Sequence, residues 1–143
     1  MTEVLRFNSR EKNHYQAALR IRHQVFVEEQ GVPEELEYDA HEDQACHYLL
    51  LLNGQAVATA RWRETKNGIK LERFAVLSAY RNLKIGGKIL QSVMEDILPM
   101  GKRIYLHSQL RAVPFYERNG FIKEGEAFTE AGITHFRMFY SET

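Results

Sequence analysis

Cysteine is almost missing from this 143-residue chain: Cys46 stands alone. No internal disulfide can form, which suits a reducing compartment and points to the cytoplasm. A single thiol can be a nucleophile, but Cys46 precedes the apolar run His47-Tyr-Leu-Leu-Leu-Leu52, where it reads as a small buried residue. No apolar stretch approaches the roughly 20 residues that span a bilayer. Met1-Thr-Glu-Val-Leu-Arg6 lacks the basic-then-apolar build of a secretion signal. The formal net charge is zero, so nothing draws the chain toward nucleic acid or an anionic membrane, and neither partner is expected. Metal-ligand spacing is also missing. His41-Glu-Asp43 and Cys46-His47 form a loose cluster without zinc-finger or H-E-x-x-H spacing, so no metal is expected. His135 reads as a strand-end hydrogen bonder. There is no linker, repeat or low-complexity stretch, and residues 1–143 are expected to form one domain.

Hydrophobic spacing supplies the elements. Val4 to Phe7 reads as a strand. Asn8, with Glu11 three residues on, resembles a capping box. Tyr15, Ala18, Leu19, Val25 and Phe26 then recur at helical spacing. Arg22 falls on that apolar stripe and reads as a paired structural clamp. The acidic segment 34–43 reads as a loop with a solvated surface, the alternative being an attractor for a cationic ligand. Asn53-Gly54 and Asn67-Gly68 are hairpin signals and predict an antiparallel meander over residues 49–76. Ile85, Ile89, Val93 and Ile97 mark one face of a helix that Pro99 and Gly101 end. Residues 103–108 read as a strand, 112–119 as a short helix, and two strands follow. The order predicts an α/β fold with one mixed sheet and helices on its faces.

Two segments carry chemistry. Val76-Leu-Ser-Ala-Tyr-Arg81-Asn-Leu-Lys84-Ile-Gly86-Gly87-Lys88 runs from a strand end through a basic turn into a helix. Unpaired N–H groups and the positive end of the helix dipole there suit a phosphate. The Walker and Rossmann glycine patterns are both missing, so the residues alone allow either a phosphate cradle or a packing turn. Ala112-Val-Pro-Phe-Tyr116-Glu-Arg-Asn-Gly-Phe121 places Ala112, Phe115 and Tyr116 on one helical face. Spacing alone allows a half-buried tyrosine whose hydroxyl finds a partner.

Together these segments resemble the GNAT superfamily of acyl-CoA-dependent N-acyltransferases. Its pyrophosphate loop, Arg or Gln, two residues, Gly, one residue, Gly or Ala, is matched by Arg81-Asn-Leu-Lys84-Ile-Gly86, and its A-x-x-F-Y-x-x-x-G-F helix by Ala112 to Phe121. Arg22-His-Gln-Val-Phe-Val-Glu-Glu-Gln30, Leu71-Glu-Arg-Phe-Ala-Val76 and Gly132-Ile-Thr-His135 with Met138 resemble its ElaA/YjcF-like branch. The resemblance implies a mostly antiparallel sheet of six to seven strands flanked by about four helices.

It also implies an N-acetyltransferase that uses acetyl-CoA and a primary amine, small-molecule or peptide, in a ternary complex. A non-catalytic acyl-CoA-binding domain is the alternative. The diphosphate would sit on Arg81, Asn82, Leu83 and Lys84 of the loop and on Ile85, Gly86 and Gly87 of the helix. Pantetheine would run beside Phe74, Ala75 and Val76, near Phe115, with a backbone N–H there as oxyanion donor. Tyr116 is the implied general acid. An amine of pKa near 10.4 needs roughly 4.6 kcal/mol to be neutral at pH 7, so a base is useful. Glu72 shares a face with Phe74 and Val76 by period two unless a bulge intervenes, and is either that base or a structural ion pair. His107 and Gln109 could hold water or substrate, and Glu28 and Glu29 could attract a cationic amine. Family members often dimerise, so a homodimer is a further expectation. Lys84 stands where the family places glycine. A positive φ there would cost about 1 kcal/mol or more. The reading adopted is an ordinary backbone with the ammonium helping to bind phosphate.

Overall fold

A computed structural model of the chain describes residues 1–141. Strands β1 (Thr2–Phe7), β2 (Cys46–Leu52), β3 (Gln55–Thr65), β4 (Gly68–Val76), β5 (Ile104–Gln109), β6 (Phe121–Glu130) and β7 (Ile133–Tyr140) form one seven-stranded sheet. Its order is β1-β2-β3-β4-β5-β7-β6. Every neighbouring pair is antiparallel except β4 and β5. The helices are α1 (Lys12–Arg22), α2 (Glu34–Glu37), α3 (Ile85–Ile97) and α4 (Val113–Arg118). This is the mixed α/β architecture expected from the sequence, and the parallel pair requires the α3 crossover.

The hairpins follow from turn chemistry. Asn53 and Gly54 take φ of 51° and 84°, the two positive values a tight turn needs. Asn67-Gly68 acts differently. Gly68 already pairs with Thr65, and a Cβ there would collide with the Arg103 carbonyl, so this glycine serves a close approach. A third tight turn, Ala131 and Gly132 at φ of 52° and 75°, joins β6 to β7.

Two apolar clusters lie on opposite faces of the sheet. The larger lies under α3 and α4 and takes in Ile85, Ile89, Leu90, Val93 and Ile97, the stripe that the spacing predicts. Each such side chain contributes about 1.5–3 kcal/mol by leaving water. The smaller packs Ala18, Ile21 and Val25 on Phe7, Leu49 and Ala75. The helical run does not stop with α1 but widens into a π-helical segment, His23–Glu29. The capping box closes in its return half: Asn8 N–H donates to Glu11 Oε2 at 2.9 Å, while Asn8 Oδ1 accepts from Arg10 N–H. Cys46 is exposed, against the expectation of burial, because it opens β2 ahead of the buried run His47–Leu50.

One irregularity positions the site. Thr59 pairs Ala75 and Arg61 pairs Glu72, so β4 spends one more residue than β3 over this interval. Arg73 takes up the extra residue with φ of 58°. The bulge inverts the alternation beyond it. Leu71, Phe74 and Val76 all pack on the α3 side, whereas Ala75 joins the α1 side.

Candidate active site

β4 and β5 pair only at Ile69–Ile104, Lys70–Tyr105 and Leu71–Leu106. Beyond these the strands part, and a cleft of about 820 Å³ opens between them. Parted strands leave backbone N–H and C=O groups free to meet an extended polar ligand. Phe74, Ala75 and Val76 line one wall, His107 and Gln109 the other, and Tyr116 and Phe115 close one side. Arg81, Gly86 and Glu72 also reach the cleft.

At its mouth the basic loop runs into α3. Lys84 has φ of 63° and ψ of 20°, a left-handed backbone, which overturns the expected ordinary conformation. Asn82 is left-handed too, at φ of 70°. The helix must begin abruptly after an exposed turn, and here a lysine performs the reversal that glycine makes more cheaply. No side chain caps α3, and its first backbone bond is Lys88 N–H to the Lys84 carbonyl at 3.2 Å. The N–H groups of Ile85, Gly86 and Gly87 therefore lie outside the helix's own ladder. A Cβ at Gly86 would touch the Phe115 ring at 3.5 Å, but one at Gly87 would meet nothing within 4 Å. Packing thus accounts for the first glycine and not the second, and an open cradle of N–H groups fits a diphosphate. Arg81 binds in two directions: Nε donates to the Val76 carbonyl at 3.0 Å, and its two Nη atoms donate to Glu29 at 2.9 and 2.8 Å. Glu29 is thus brought to the loop rather than to His107 and Gln109, since the π-helical segment ends there.

Tyr116 is buried, with its ring edge-on to Phe74, Phe115 and Phe121. Its hydroxyl has no hydrogen-bond partner among the described residues, unlike an ordinary core tyrosine. Burial alone pushes the phenol well above its usual range, so it stays protonated at neutral pH.

The charged wall differs from the sequence expectation. The bulge puts Glu72 on the opposite face from Phe74 and Val76, so the premise of a shared face fails. Its carboxylate is 2.9 Å from both Arg61 and Arg63 and 3.2 Å from Lys70. Burial opposes the charge, but the hydrogen bond from Arg63 and the field of Arg61 and Lys70 outweigh it and bring the carboxyl to about 2. Such a carboxylate is a poor proton acceptor at neutral pH. The acidic segment is a solvated surface only in part: Glu34, Glu35 and Asp43 are exposed, but Glu37, Asp39 and Glu42 turn to arginines. Glu37 and Glu42 hold the buried Arg22, at 2.9 and 2.7 Å, as expected of a clamp. Asp39 holds Arg61 at 2.7 Å and Arg73 at 3.1 Å. Buried arginines demand such partners, and the nearby loop supplies them.

On the β5 wall, Gln109 Nε2 donates to Gln30 Oε1 at 2.7 Å, tying the wall to the end of the π-helical segment. His107 Nδ1 lies 3.1 Å from Glu130 Oε1. His135 donates Nδ1–H to the Ile133 carbonyl at 2.8 Å, the strand-end bond its position suggests. Neither Glu130 nor Gln30 was singled out in the sequence; the one available signal was Glu130-Ala-Gly132, a turn whose alanine hides it. Among the described residues no group of three His, Cys, Asp or Glu side chains is arranged to hold a metal, and no helix is long and apolar enough to cross a membrane.

The family model for an acetyltransferase (GNAT) domain matches residues 8–141. YjcF of Bacillus subtilis (strain 168), an uncharacterized N-acetyltransferase, is 35% identical over 123 residues, 85% of this chain and 88% of that protein. The crystal structure of Escherichia coli ElaA superposes with a TM-score of 0.87 at 28% identity, covering 99% of this chain and all of that one. A Bacillus anthracis protein solved in complex with acetyl coenzyme A shares the fold at a TM-score of 0.59 and 20% identity, over 68% of this chain and 62% of that one.

Proposed function

Because the chain belongs to the GNAT acetyltransferase family, we propose that it transfers an acetyl group from acetyl-CoA to a primary amine by direct attack in a ternary complex. The observation that carries this reading is the cleft between β4 and β5, lined both by the start of α3 with its free N–H groups and by Tyr116.

Bound acetyl-CoA supplies the thioester to be attacked. Ile85, Gly86 and Gly87 would hold its diphosphate with their N–H groups, with Arg81, Asn82 and Leu83 shaping the turn and the Lys84 ammonium adding charge. The parted edge of Phe74, Ala75 and Val76 would hold the pantetheine, and a backbone N–H there would steady the oxyanion. Phe115 would pack beside it. Tyr116 would give its proton to the departing sulfur; a phenol kept protonated by burial is suited to that task. His107 and Gln109 would face the acceptor amine. Glu72, paired three times over, would keep Arg61, Arg63 and Lys70 fixed rather than take a proton.

Thiol release from acetyl-CoA across a panel of small and peptide amines tests the reading. Turnover on at least one amine, at least tenfold above the rate without amine, is expected. Tight acetyl-CoA binding with no turnover on any amine would mark the chain as an acyl-CoA binder instead.

A further inference from the structure

Where β4 and β5 part, the first residues beyond the last pair are Glu72 and His107. Glu72 is saturated by cations, while His107 is left half-satisfied. A carboxylate only accepts, so the Nδ1 that faces Glu130 carries the hydrogen. In the neutral ring Nε2 is then the acceptor. That Nε2 is buried and has no partner among the described residues. The ring stands edge-on to Phe128, with centroids 5.1 Å apart, and tilted to Tyr105 at 6.1 Å. Glu130 closes β6 just before the Ala131–Gly132 turn, and its Oε2 lies 3.7 Å from His135 Nε2. The other charged or titratable neighbours are Tyr105 on β5, Arg137 opposite on β7, Lys70 and Glu72 on β4, and Arg63 on β3. Lys70 and Arg63 already face Glu72.

We propose that His107 Nε2 is the base that takes the proton of the acceptor ammonium, directly or through one water, and that Glu130 is its positioning residue. A base with one nitrogen oriented by a carboxylate and the other unpartnered, on a side chain that lines the cleft, is the arrangement such a step needs. The inference rests on the N-acyltransferase reading above. The balance is simple. An N–H bond of the ammonium breaks and one forms at Nε2, giving a neutral amine and an imidazolium that faces Glu130. The nitrogen lone pair forms the C–N bond, and the C–S pair leaves with sulfur. Sulfur takes the Tyr116 proton, the surplus proton on the new amide nitrogen restores the tyrosine, and the imidazolium proton passes to solvent.

The test compares the unaltered protein with His107→Ala and Glu130→Gln on two acceptors: the best amine of the panel, and an alkoxyamine of similar frame whose nitrogen is already neutral at pH 7. On the amine, His107→Ala should lose about 100-fold in kcat, and Glu130→Gln about tenfold, with KM for acetyl-CoA unchanged. On the alkoxyamine both losses should shrink below about threefold, because no first proton needs removing. The His107→Ala rate on the amine should regain about tenfold per pH unit toward the amine's own pKa. Independently of activity, ring nitrogen shifts should report His107 as the Nδ1–H tautomer, and Glu130→Gln should remove that preference. His107→Asn carries the same expectations if the alanine variant does not fold. Equal losses on both acceptors, or none on the amine, would overturn the inference while leaving the acyltransferase reading standing. Failure of the unaltered protein on every amine would remove both.

Discussion

On the β4 wall of the cleft, Glu72 is surrounded by Arg61, Arg63 and Lys70. On the β5 wall, His107 has Glu130 at one nitrogen and, among the described residues, no partner at the other. Both residues follow the last rung between the same two strands. What separates them is the neighbouring strand. β3 delivers arginines to Glu72, whereas β6 delivers to His107 one carboxylate, Glu130, and one aromatic ring, Phe128. A group whose partners are complete is a strut; a group with one partner missing is free to take part in chemistry. In the proposed assignment, acid–base capacity at this cleft follows what is left unpaired, not which residue type stands nearest.

The comparison breaks most visibly at Glu72. Glu72→Gln leaves buried cations without their counter-charge and should cost about 3 kcal/mol, read by denaturant unfolding. A stable variant that nevertheless loses all turnover would return Glu72 to the chemistry. The same saturation is legible in pH. Glu72 has its carboxyl pulled from 4.5 to about 2, and Asp39 and Glu42 are also held low by Arg61 and Arg22. A depressed folded pKa contributes stability that is full above the unfolded value and lost as pH falls through the folded one. Unfolding free energy should therefore be flat above about pH 5 and decline steadily from about pH 4.5 toward 2. A plateau that continued to about pH 3 would show that these pairs do not hold the fold.

Across the cleft from Glu72, Tyr116→Phe removes the hydroxyl proposed to give its proton to the leaving sulfur. Turnover should fall about 100-fold, about 2.7 kcal/mol, with acetyl-CoA affinity within about twofold of the parent by calorimetry. Full activity would remove Tyr116 as the acid. The smallest effect is expected at the mouth. Lys84→Gly relieves a left-handed lysine at the expense of chain entropy, so the thermal midpoint should rise by a few degrees, about 0.5 kcal/mol. Acetyl-CoA affinity should drop about threefold and depend less on salt, because one ammonium is lost. An unchanged affinity would leave the phosphate to backbone N–H groups alone.

Much of this was legible beforehand, for local reasons. The stripe of α3 follows from spacing, the Asn53-Gly54 turn from the positive φ those residues tolerate, and the pairing of Arg22 from the cost of burying a lone guanidinium. Three features were not legible. The bulge sits on Arg73, a residue type that does not announce a positive φ, and it inverted the expected facing of Glu72. The partners of Arg22 and Arg61 come from a segment whose acidity looked like solvated surface. Glu130 reaches His107 across 23 residues through the β5–β7–β6 register.

The sequence by itself determined the elements, the basic turn before α3 and the tyrosine on α4, because helix period, turn residues and capping depend only on near neighbours. Tertiary structure alone decided which carboxylate is spent and which imidazole is free. One inserted residue in β4 flips every side chain beyond it, and the pairing of distant strands sets which charges meet.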